Sequence, residues 1–160
     1  MKNFSRFFSL SRPFIIAEAG VNHGGNLKNA IKYVDIAKQA GADAIKFQTY
    51  KAELIASRNS KAYWDLKSEK TKNQFDLFKK YDSLNFKDYL KLKMICDKKK
   101  ILFMTTLFDI DSVNKYNRLI KIYKISSSDI TNIPLLEVIG RKNKPVILST
   151  GASTVAEIKR

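Results

Sequence analysis

Several residue types are scarce in this chain. Its 160 residues include one cysteine, one histidine and three prolines. Because Cys96 has no partner within the chain, it cannot form an internal disulfide, which excludes a disulfide-stabilised domain and predicts a cytoplasmic location. His23 has no second histidine with which to share a metal ion, so a cluster of histidine ligands is excluded.

Long hydrophobic runs are also missing. The longest apolar stretches have the length of a β-strand, whereas a membrane-spanning helix needs ~20 apolar residues. The first twelve residues contain neither a long apolar segment nor a small-residue cleavage site, so they do not predict a signal peptide. We therefore expect no membrane contact, and we interpret residues 1–12 as an N-terminal extension before a domain that spans residues 13–160.

Acidic residues are few, with 15 Asp and Glu against 30 Lys and Arg, a net charge of +15. This excess has two interpretations. In one, it attracts a polyanion such as nucleic acid, and the chain is a non-catalytic polyanion-binding module. In the other, the lysines are solvated on helix faces. The sequence contains no nucleic-acid-binding motif, which favours this second interpretation and predicts no nucleic-acid partner. A positive field also draws in small anionic substrates.

Short apolar runs alternate with amphipathic stretches. Five runs are predicted as strands, at residues 14–17, 42–49, 101–106, 121–125 and 145–148. Such repeats predict an α/β protein with parallel strands. Two architectures fit, a doubly wound open sheet and part of a TIM (β/α)8 barrel, which takes about 250 residues when whole. Because the last predicted helix stops about two turns after it begins, we expect a partial barrel of about five βα units.

Capping residues and apolar spacing predict the helices. Side chains suited to helix N-caps precede three of them, at Asn26, Asn85 and Thr154. In the helix after Asn85, the spacing predicts one buried face made of Phe86, Tyr89, Leu90 and Met94. Residues 50–84 lack such regularity and are interpreted as a polar excursion with one or two short helices, a candidate lid over the strand ends. Its expected apolar anchors are Tyr63, Trp64, Phe75, Leu77 and Phe78.

Polar side chains gather where the predicted strands end. In chain order they are Glu18, Lys46, Gln48, Thr105, Thr106, Lys124, Ser126, Ser127, Ser149 and Thr150. The carboxyl ends of parallel strands meet at one edge, where such proteins bind ligands. Lys46 and Lys124 interrupt apolar strands, and a buried ammonium group is costly unless it meets an anion. These lysines and the hydroxyls predict a cradle for a phosphate or carboxylate, with Glu18 handling a proton or binding a sugar hydroxyl.

The first predicted strand is followed by a loop that contains His23, Gly24 and Gly25. Two interpretations of His23 remain open: a loop residue bonded to the backbone, or a direct ligand. A glycine pair before a helix is a weak signal for an anion site by itself. We assign no metal to this loop.

Four motifs resemble one enzyme family. They are Ile-Ala-Glu-Ala-Gly-Val-Asn-His at 16–23, Gly-Ala-Asp-Ala-Ile-Lys-Phe-Gln-Thr at 41–49, Tyr-Lys-Ile-Ser-Ser-Ser-Asp-Ile-Thr-Asn-Ile-Pro-Leu-Leu at 123–136, and Lys-Pro-Val-Ile-Leu-Ser-Thr-Gly at 144–151. In this order they resemble the bacterial sialic acid synthases, which include N-acetylneuraminate and legionaminate synthases. The resemblance extends from about Phe14 to the end of the chain.

The resemblance implies a TIM-barrel transferase of cell-surface polysaccharide biosynthesis. Such enzymes condense phosphoenolpyruvate with an N-acetylated amino sugar, such as N-acetylmannosamine, to give a nonulosonic (sialic) acid and phosphate, with manganese or magnesium as the divalent metal. By position, the motifs assign phosphoenolpyruvate binding to Lys46, Thr106, Lys124, Ser127 and Ser149. They assign the reacting centre and the sugar to Glu18 and Gln48.

The resemblance also implies parts that these residues do not contain. The metal-binding histidines of the family lie on later strands, and its antifreeze-like domain closes over the neighbouring subunit of a homodimer. We therefore expect a truncated chain that lacks metal ligands and is inactive alone. Its last strand would be an exposed edge, so we expect self-association. The family has glycine where Ser128 stands, and a phosphate-binding barrel aldolase remains the alternative enzyme.

Overall fold

The computed structural model of the protein describes residues 11–160, and residues 1–10 of the predicted extension lie outside the described residues. Five parallel strands form one sheet: β1 (Ile16–Gly20), β2 (Ala44–Thr49), β3 (Leu102–Leu107), β4 (Tyr123–Ile125) and β5 (Val146–Leu148). They lie in the order β1-β2-β3-β4-β5. A doubly wound sheet reverses its strand order at a switch point, whereas the strands of a barrel follow one another. The sequential order confirms the partial barrel.

Helices alternate with these strands. They are α1 (Leu27–Gln39), α2 (Ala52–Ile55), α3 (Gln74–Tyr81), α4 (Phe86–Lys98), α5 (Ile110–Tyr116), α6 (Ile133–Gly140) and α7 (Val155–Lys159). The side chains of Asn26, Asn85 and Thr154 cap α1, α4 and α7, which confirms the predicted helix starts. Within residues 11–160, no helix combines the length and the apolar character needed to cross a membrane.

The first strand differs from its prediction. The apolar run at 14–17 predicted a strand that ends before Glu18, but β1 runs to Gly20 and contains Glu18. Glu18 pairs with Lys46 of β2, and the register then shifts between Glu18 and Gly20. Strand pairing with β2 therefore extends β1 beyond its apolar part. At its other end, Asp43 accepts the backbone N–H of Ile15 at 2.8 Å and also binds Arg12.

The sheet separates two apolar layers. On the helix side, Phe47, Phe103 and Tyr123 are almost fully buried against residues of α1, α4, α5 and α6. The opposite face, called the inner face below, carries a smaller cluster made of Ala44, Met104 and Ile122. Partly buried apolar residues surround that cluster: Phe14, Ile16, Leu102 and Ile147. The helix side is thus the main core, and the inner face is incompletely covered.

Helix α4 buries only part of the predicted face: Tyr89 is buried and Phe86 packs against the core. Tyr89, Leu92 and Cys96 point into the core, whereas Leu90 is 38% and Met94 63% exposed. Both sets of residues recur at helical spacing. Apolar spacing alone therefore could not distinguish the stripe that contacts the sheet from the one that faces outward.

Burial makes Cys96 unreactive in the folded protein. Its side chain is inaccessible, and burial raises the pKa of the thiol to about 12. Because the thiolate is the nucleophile, we expect native protein at pH 8 to resist iodoacetamide and urea-unfolded protein to be alkylated fully, as measured by intact mass. Rapid labelling of the native protein would contradict the packing of α4.

The excursion over residues 50–84 contains two short helices, α2 and α3, as expected. Phe75 is buried, and the indole N–H of Trp64 is shared between the carbonyls of Glu69 at 3.2 Å and Thr71 at 3.1 Å. Tyr63 is 75% exposed, so its prediction as an anchor is wrong. Its ring packs edge-on against Trp64 at a centroid distance of 5.0 Å, which leaves most of the tyrosine in solvent.

Candidate active site

The candidate site occupies the carboxyl-terminal half of the inner face. Lys46, Gln48, Thr106 and Lys124 each follow a residue of the inner-face cluster by two or four positions, so their side chains share its face. The strand register places Gln48 beside Thr106 and Thr106 beside Lys124. Apolar side chains therefore fill the amino-terminal half of this face, and polar side chains fill the half where the strands end.

Lys46 and Glu18 form an ion pair at this end of β1 and β2. The lysine side chain is 10% exposed, whereas the glutamate side chain is 49% exposed. An ion pair that is half open to solvent contributes little stability. An incoming anion can therefore compete with the Glu18 carboxylate for Lys46 at a modest free-energy cost.

Lys124 adds a second ammonium group to the site, on β4 and next to β5. Its ammonium group donates to the Ser149 hydroxyl at 2.6 Å and to the Ile125 carbonyl at 2.7 Å. Burial lowers the pKa of Lys124, the Lys46 ammonium lowers it further, and the Glu18 carboxylate opposes both effects. Two ammonium groups thus share one carboxylate, and the site favours an additional negative charge.

The hydroxyl side chains of Thr106, Ser127 and Thr105 lie in three different places. Thr106 is buried between Gln48 and Lys124 on the inner face. Ser127 begins the 3-10 turn after β4. Thr105, which the sequence groups with these residues, lies on the opposite face of the strand, where its hydroxyl is hydrogen-bonded to that of Thr49 at 2.8 Å. The alternation of side chains along β3 separates the two threonines.

The turn after β4 forms with serine at position 128, where the resemblance implies glycine. Ser128 is not among the described residues with positive φ, so its backbone does not require glycine. The Ser126 hydroxyl lies 2.9 Å from the Ser128 hydroxyl and accepts its backbone N–H at 3.4 Å. The serine side chains therefore stabilise this turn.

The loop between β1 and α1 is tied to the end of the excursion. The Nδ1 atom of His23 accepts the Gly25 N–H at 3.0 Å, and the Gly25 carbonyl accepts the Ser83 hydroxyl at 2.9 Å. The neighbouring Asp82 carboxylate accepts the Ala52 N–H at 3.0 Å. These bonds join the loops that follow β1 and β2. His23 is thus bonded to the backbone, and its imidazole is 1% exposed.

His23 gives the protein a distinct dependence on pH. Burial lowers its pKa below the usual 6.5, so the unfolded chain takes up a proton more readily than the folded protein. Stability is therefore complete above pH 6.5 and falls as the pH drops towards the folded pKa. We expect the free energy of unfolding in urea to decrease from pH 7 to pH 5, by up to about 1.4 kcal/mol per pH unit.

The matched control is His23→Asn, which retains a hydrogen-bond acceptor but does not titrate. This variant will be less stable at pH 7 because it leaves space in the core. Its loss of stability between pH 7 and pH 5 should be smaller than that of the unaltered protein. Equal pH dependence in the two proteins would contradict the assignment to His23.

A cleft of about 550 Å³ opens between the excursion and the loops after β3 and β4. It combines apolar and polar side chains: Leu54, Ile55, Tyr63, Gln74, Phe78, Phe108, Ser128, Asp129 and Asn132. Burial raises the pKa of the Asp129 carboxyl group. Our sequence-based interpretation missed this cleft. The position of Asp129 directly after the β4 serines was the available signal, whereas the excursion residues gave none.

The residues present do not fit a metal site. Among residues 11–160, no group of three His, Cys, Asp or Glu side chains is arranged to hold a metal ion. Glu18 is engaged by Lys46, and the Nδ1 atom of His23 is engaged by Gly25. We therefore assign no step of the chemistry to a divalent metal.

The fold and the site define a partial TIM barrel whose carboxyl-terminal edge presents two ammonium groups, one carboxylate and several hydroxyls. Residues 33–160 match the NeuB family, and the chain belongs to that family. It is 41% identical to N,N'-diacetyllegionaminic acid synthase of Campylobacter jejuni over 153 residues, which are 94% of this chain and 46% of the relative.

Solved structures agree with this assignment. N-acetylneuraminic acid synthetase of Leptospira borgpetersenii has a TM-score of 0.75 and 39% identity over 91% of this chain and 47% of its own. A truncated 3-deoxy-D-arabino-heptulosonate 7-phosphate synthase of Thermotoga maritima has a TM-score of 0.61 at 19% identity over 90% of this chain and 42% of its own, a likeness of fold alone. The chain thus spans about half the length of these relatives.

Proposed function

We propose that this site binds phosphoenolpyruvate and contributes to its condensation with an N-acetylated amino sugar, such as N-acetylmannosamine. The products would be a nonulosonic acid and phosphate, in polysaccharide biosynthesis. The observation that carries the proposal is the convergence of Lys46 and Lys124 on one face with Glu18 as their shared carboxylate. The names of the relatives, which are nonulosonic acid synthases, support the same reaction.

In the proposed reaction, the π electrons of phosphoenolpyruvate form a bond from carbon 3 to the aldehyde carbon of the open-chain sugar. The aldehyde oxygen takes up a proton and becomes a hydroxyl group. Water adds to carbon 2 and loses one proton. The bond from carbon 2 to the phosphate oxygen then breaks with its electron pair, and the remaining hydroxyl proton passes to the departing phosphate. Phosphate leaves, and a 2-keto acid remains.

The side chains have separate roles in this scheme. Lys46, Lys124 and the hydroxyls of Thr106, Ser127 and Ser149 bind the phosphate and carboxylate groups, since charge-assisted hydrogen bonds are the strong ones. Because Glu18 is half exposed beside Lys46, we assign to it the proton of the attacking water. Gln48, next to Thr106, binds the sugar.

The cleft beside the site is the proposed sugar-binding region. Its polar residues Gln74, Asp129 and Asn132 suit sugar hydroxyls, and its apolar residues Leu54 and Phe108 suit an acetyl methyl group. The excursion contributes part of this wall, so we propose that it covers the strand ends when substrate is bound.

A second candidate is a barrel aldolase that forms a Schiff base. The lowered pKa of Lys124 favours it, because a nucleophilic lysine must first lose its proton. The bonds from Lys124 to Ser149 and Ile125 oppose it, since they hold the ammonium form. Borohydride reduction with pyruvate separates the two: a phosphoenolpyruvate site predicts no mass increase, and a trapped adduct on Lys124 would favour the aldolase.

Calorimetric titration of the 160-residue chain tests the proposal. We expect phosphoenolpyruvate to bind more tightly than pyruvate, which has the carboxylate but lacks the phosphate. Equal affinity for the two would contradict the phosphate cradle. We expect no release of phosphate when phosphoenolpyruvate, N-acetylmannosamine and manganese are added to the chain alone. Sustained turnover would contradict the proposal that the chain depends on further parts of the family's structure.

A further inference from the structure

The carbonyl group of Gln48 lies past the end of a neighbouring strand. Strands β1 and β2 pair as far as Gly20 and Phe47. The Ala44 N–H of β2 donates to the Ile15 carbonyl, next to the start of β1. Backbone groups of residues an even number of positions apart point to the same side of a strand, so those of Gln48 are also directed towards β1. Because β1 ends at Gly20, the carbonyl needs a partner other than a strand residue.

The Tyr89 side chain provides that partner. Its hydroxyl reaches from α4, on the helix side of the sheet, and donates to the Gln48 carbonyl at 2.8 Å. Tyr89 is 4% exposed, and burial raises the pKa of its phenol above the usual 10, so the hydroxyl keeps its proton and remains a donor. The ring packs edge-on against that of Tyr116 at a centroid distance of 5.5 Å. Packing therefore fixes the direction in which the hydroxyl points.

Thr49 and Thr105 extend this contact. Both are buried, and their hydroxyl oxygens lie 2.8 Å apart on the helix side of the sheet. A hydrogen bond between Thr49 and Tyr89 partly offsets the rise in the pKa of the tyrosine. The Thr105 hydroxyl also lies 3.4 Å from the Thr106 carbonyl. Three buried hydroxyls thus contact the backbone of Gln48 and Thr106, whose side chains point to the inner face.

We propose that Tyr89 is a positioning residue of the site, which holds the Gln48 side chain in one orientation through the Gln48 carbonyl. Since Tyr89 lies behind the sheet, it acts through Gln48 and does not contact substrate. A strand end that lacks a neighbour on one side opens more readily, and the tyrosine hydroxyl replaces the missing strand bond. The consequence for the sugar rests on the proposed function, in which Gln48 binds it. The orientation of Gln48 does not.

Tyr89→Phe tests the proposal because it removes the hydroxyl and keeps the ring. NMR relaxation of the Gln48 side-chain amide measures the mobility of that side chain. We expect its order parameter to fall by about 0.2 relative to the unaltered chain, close to the difference between rigid and flexible groups. The backbone amides in the middle of β2 should keep their values, because the strand pairs there on both sides.

Tyr123→Phe is the matched control. Tyr123 is also buried, and its hydroxyl donates to the Asn117 side chain at 2.9 Å, before β4 and away from the strand ends. Each variant loses one hydroxyl hydrogen bond, so urea unfolding should show similar losses of stability, but only Tyr89→Phe should mobilise Gln48. A second pair of variants serves if Tyr89→Phe does not fold. Thr49→Val, which removes the next hydroxyl, should also mobilise Gln48, and Thr49→Ser, which retains it, should not.

The two ligands separate positioning from folding. In the presence of saturating phosphoenolpyruvate, calorimetry should show that Tyr89→Phe binds N-acetylmannosamine about three- to tenfold more weakly, the effect of one hydrogen bond. The affinity for phosphoenolpyruvate should not change, because Lys46 and Lys124 remain in place. Tyr123→Phe should change neither affinity.

Three results would overturn the proposal. The first is an equal order parameter of the Gln48 side chain in Tyr89→Phe and in the unaltered chain. The second is the same gain in mobility in Tyr123→Phe, which would assign the effect to a general loosening of the fold. The third is an unchanged sugar affinity in Tyr89→Phe although Gln48 has become mobile. If the unaltered chain binds neither ligand, the proposed function fails instead, and the NMR comparison still decides whether Tyr89 holds Gln48.

Discussion

Replacing Lys124 with methionine is expected to weaken phosphoenolpyruvate binding by about 10- to 100-fold, the effect of losing a hydrogen bond to a charged group. Methionine retains most of the apolar length of lysine and removes the ammonium group. Lys124 is the better choice than Lys46 because Lys46 pairs with Glu18, so its removal would leave that carboxylate without its partner. Calorimetry with phosphoenolpyruvate and pyruvate measures the effect, and most of the loss should concern the phosphate-bearing ligand.

Lys144 provides a matched control. Its ammonium group donates to the carbonyls of Asn117 at 2.5 Å and Ile120 at 2.8 Å, and burial lowers its pKa as it does for Lys124. It precedes β5 and therefore lies at the opposite end of the sheet from the site. Lys144→Met should affect stability without changing the preference for phosphoenolpyruvate over pyruvate. Equal losses of affinity in the two variants would show that Lys124 acts through the fold.

The sequence could predict the arrangement of Lys46, Gln48 and Lys124 because two local rules determine it. Side chains two positions apart share a strand face, and the carboxyl ends of parallel strands meet at one edge of a sheet. Both rules require only the strand assignments, which were correct to within a few residues. The chemical roles of these residues remain proposals, because position alone does not determine what binds.

Other features depend on contacts between distant segments. The cleft is built from Leu54 and Phe78 of the excursion together with Phe108 and Asp129 after two strands. No periodicity in residues 50–84 predicts how that segment lies on the barrel. The same limit explains the error over α4, where Leu90 and Leu92 are equally apolar and only packing against the sheet distinguishes them. Glu18 is part of β1, against the prediction, because pairing with β2 extends the strand beyond its apolar run.

Gly25→Ala is expected to cause a large loss of stability through the contact between the β1–α1 loop and Ser83. Gly25 has a φ of +72°, and an added Cβ would lie 2.1 Å from the Ser83 hydroxyl oxygen. Alanine in this left-handed conformation costs about 1–2 kcal/mol, and turning the exposed Ser83 hydroxyl away from the added atom breaks its hydrogen bond to Gly25, which costs about 0.5–1.5 kcal/mol more. Urea unfolding followed by circular dichroism measures the sum.

The neighbouring glycine separates the two causes. Gly24 has a φ of +61°, but a Cβ there would meet no atom within 4 Å. Gly24→Ala should therefore show the backbone cost alone, and the difference between the two variants measures the contact with Ser83. In a Ser83→Ala background, that difference should shrink without vanishing, because the Cβ of residue 83 remains 3.3 Å from the added atom. Equal losses at Gly24 and Gly25 would mean that Ser83 moves freely, and that the excursion is not held against the β1–α1 loop at this point.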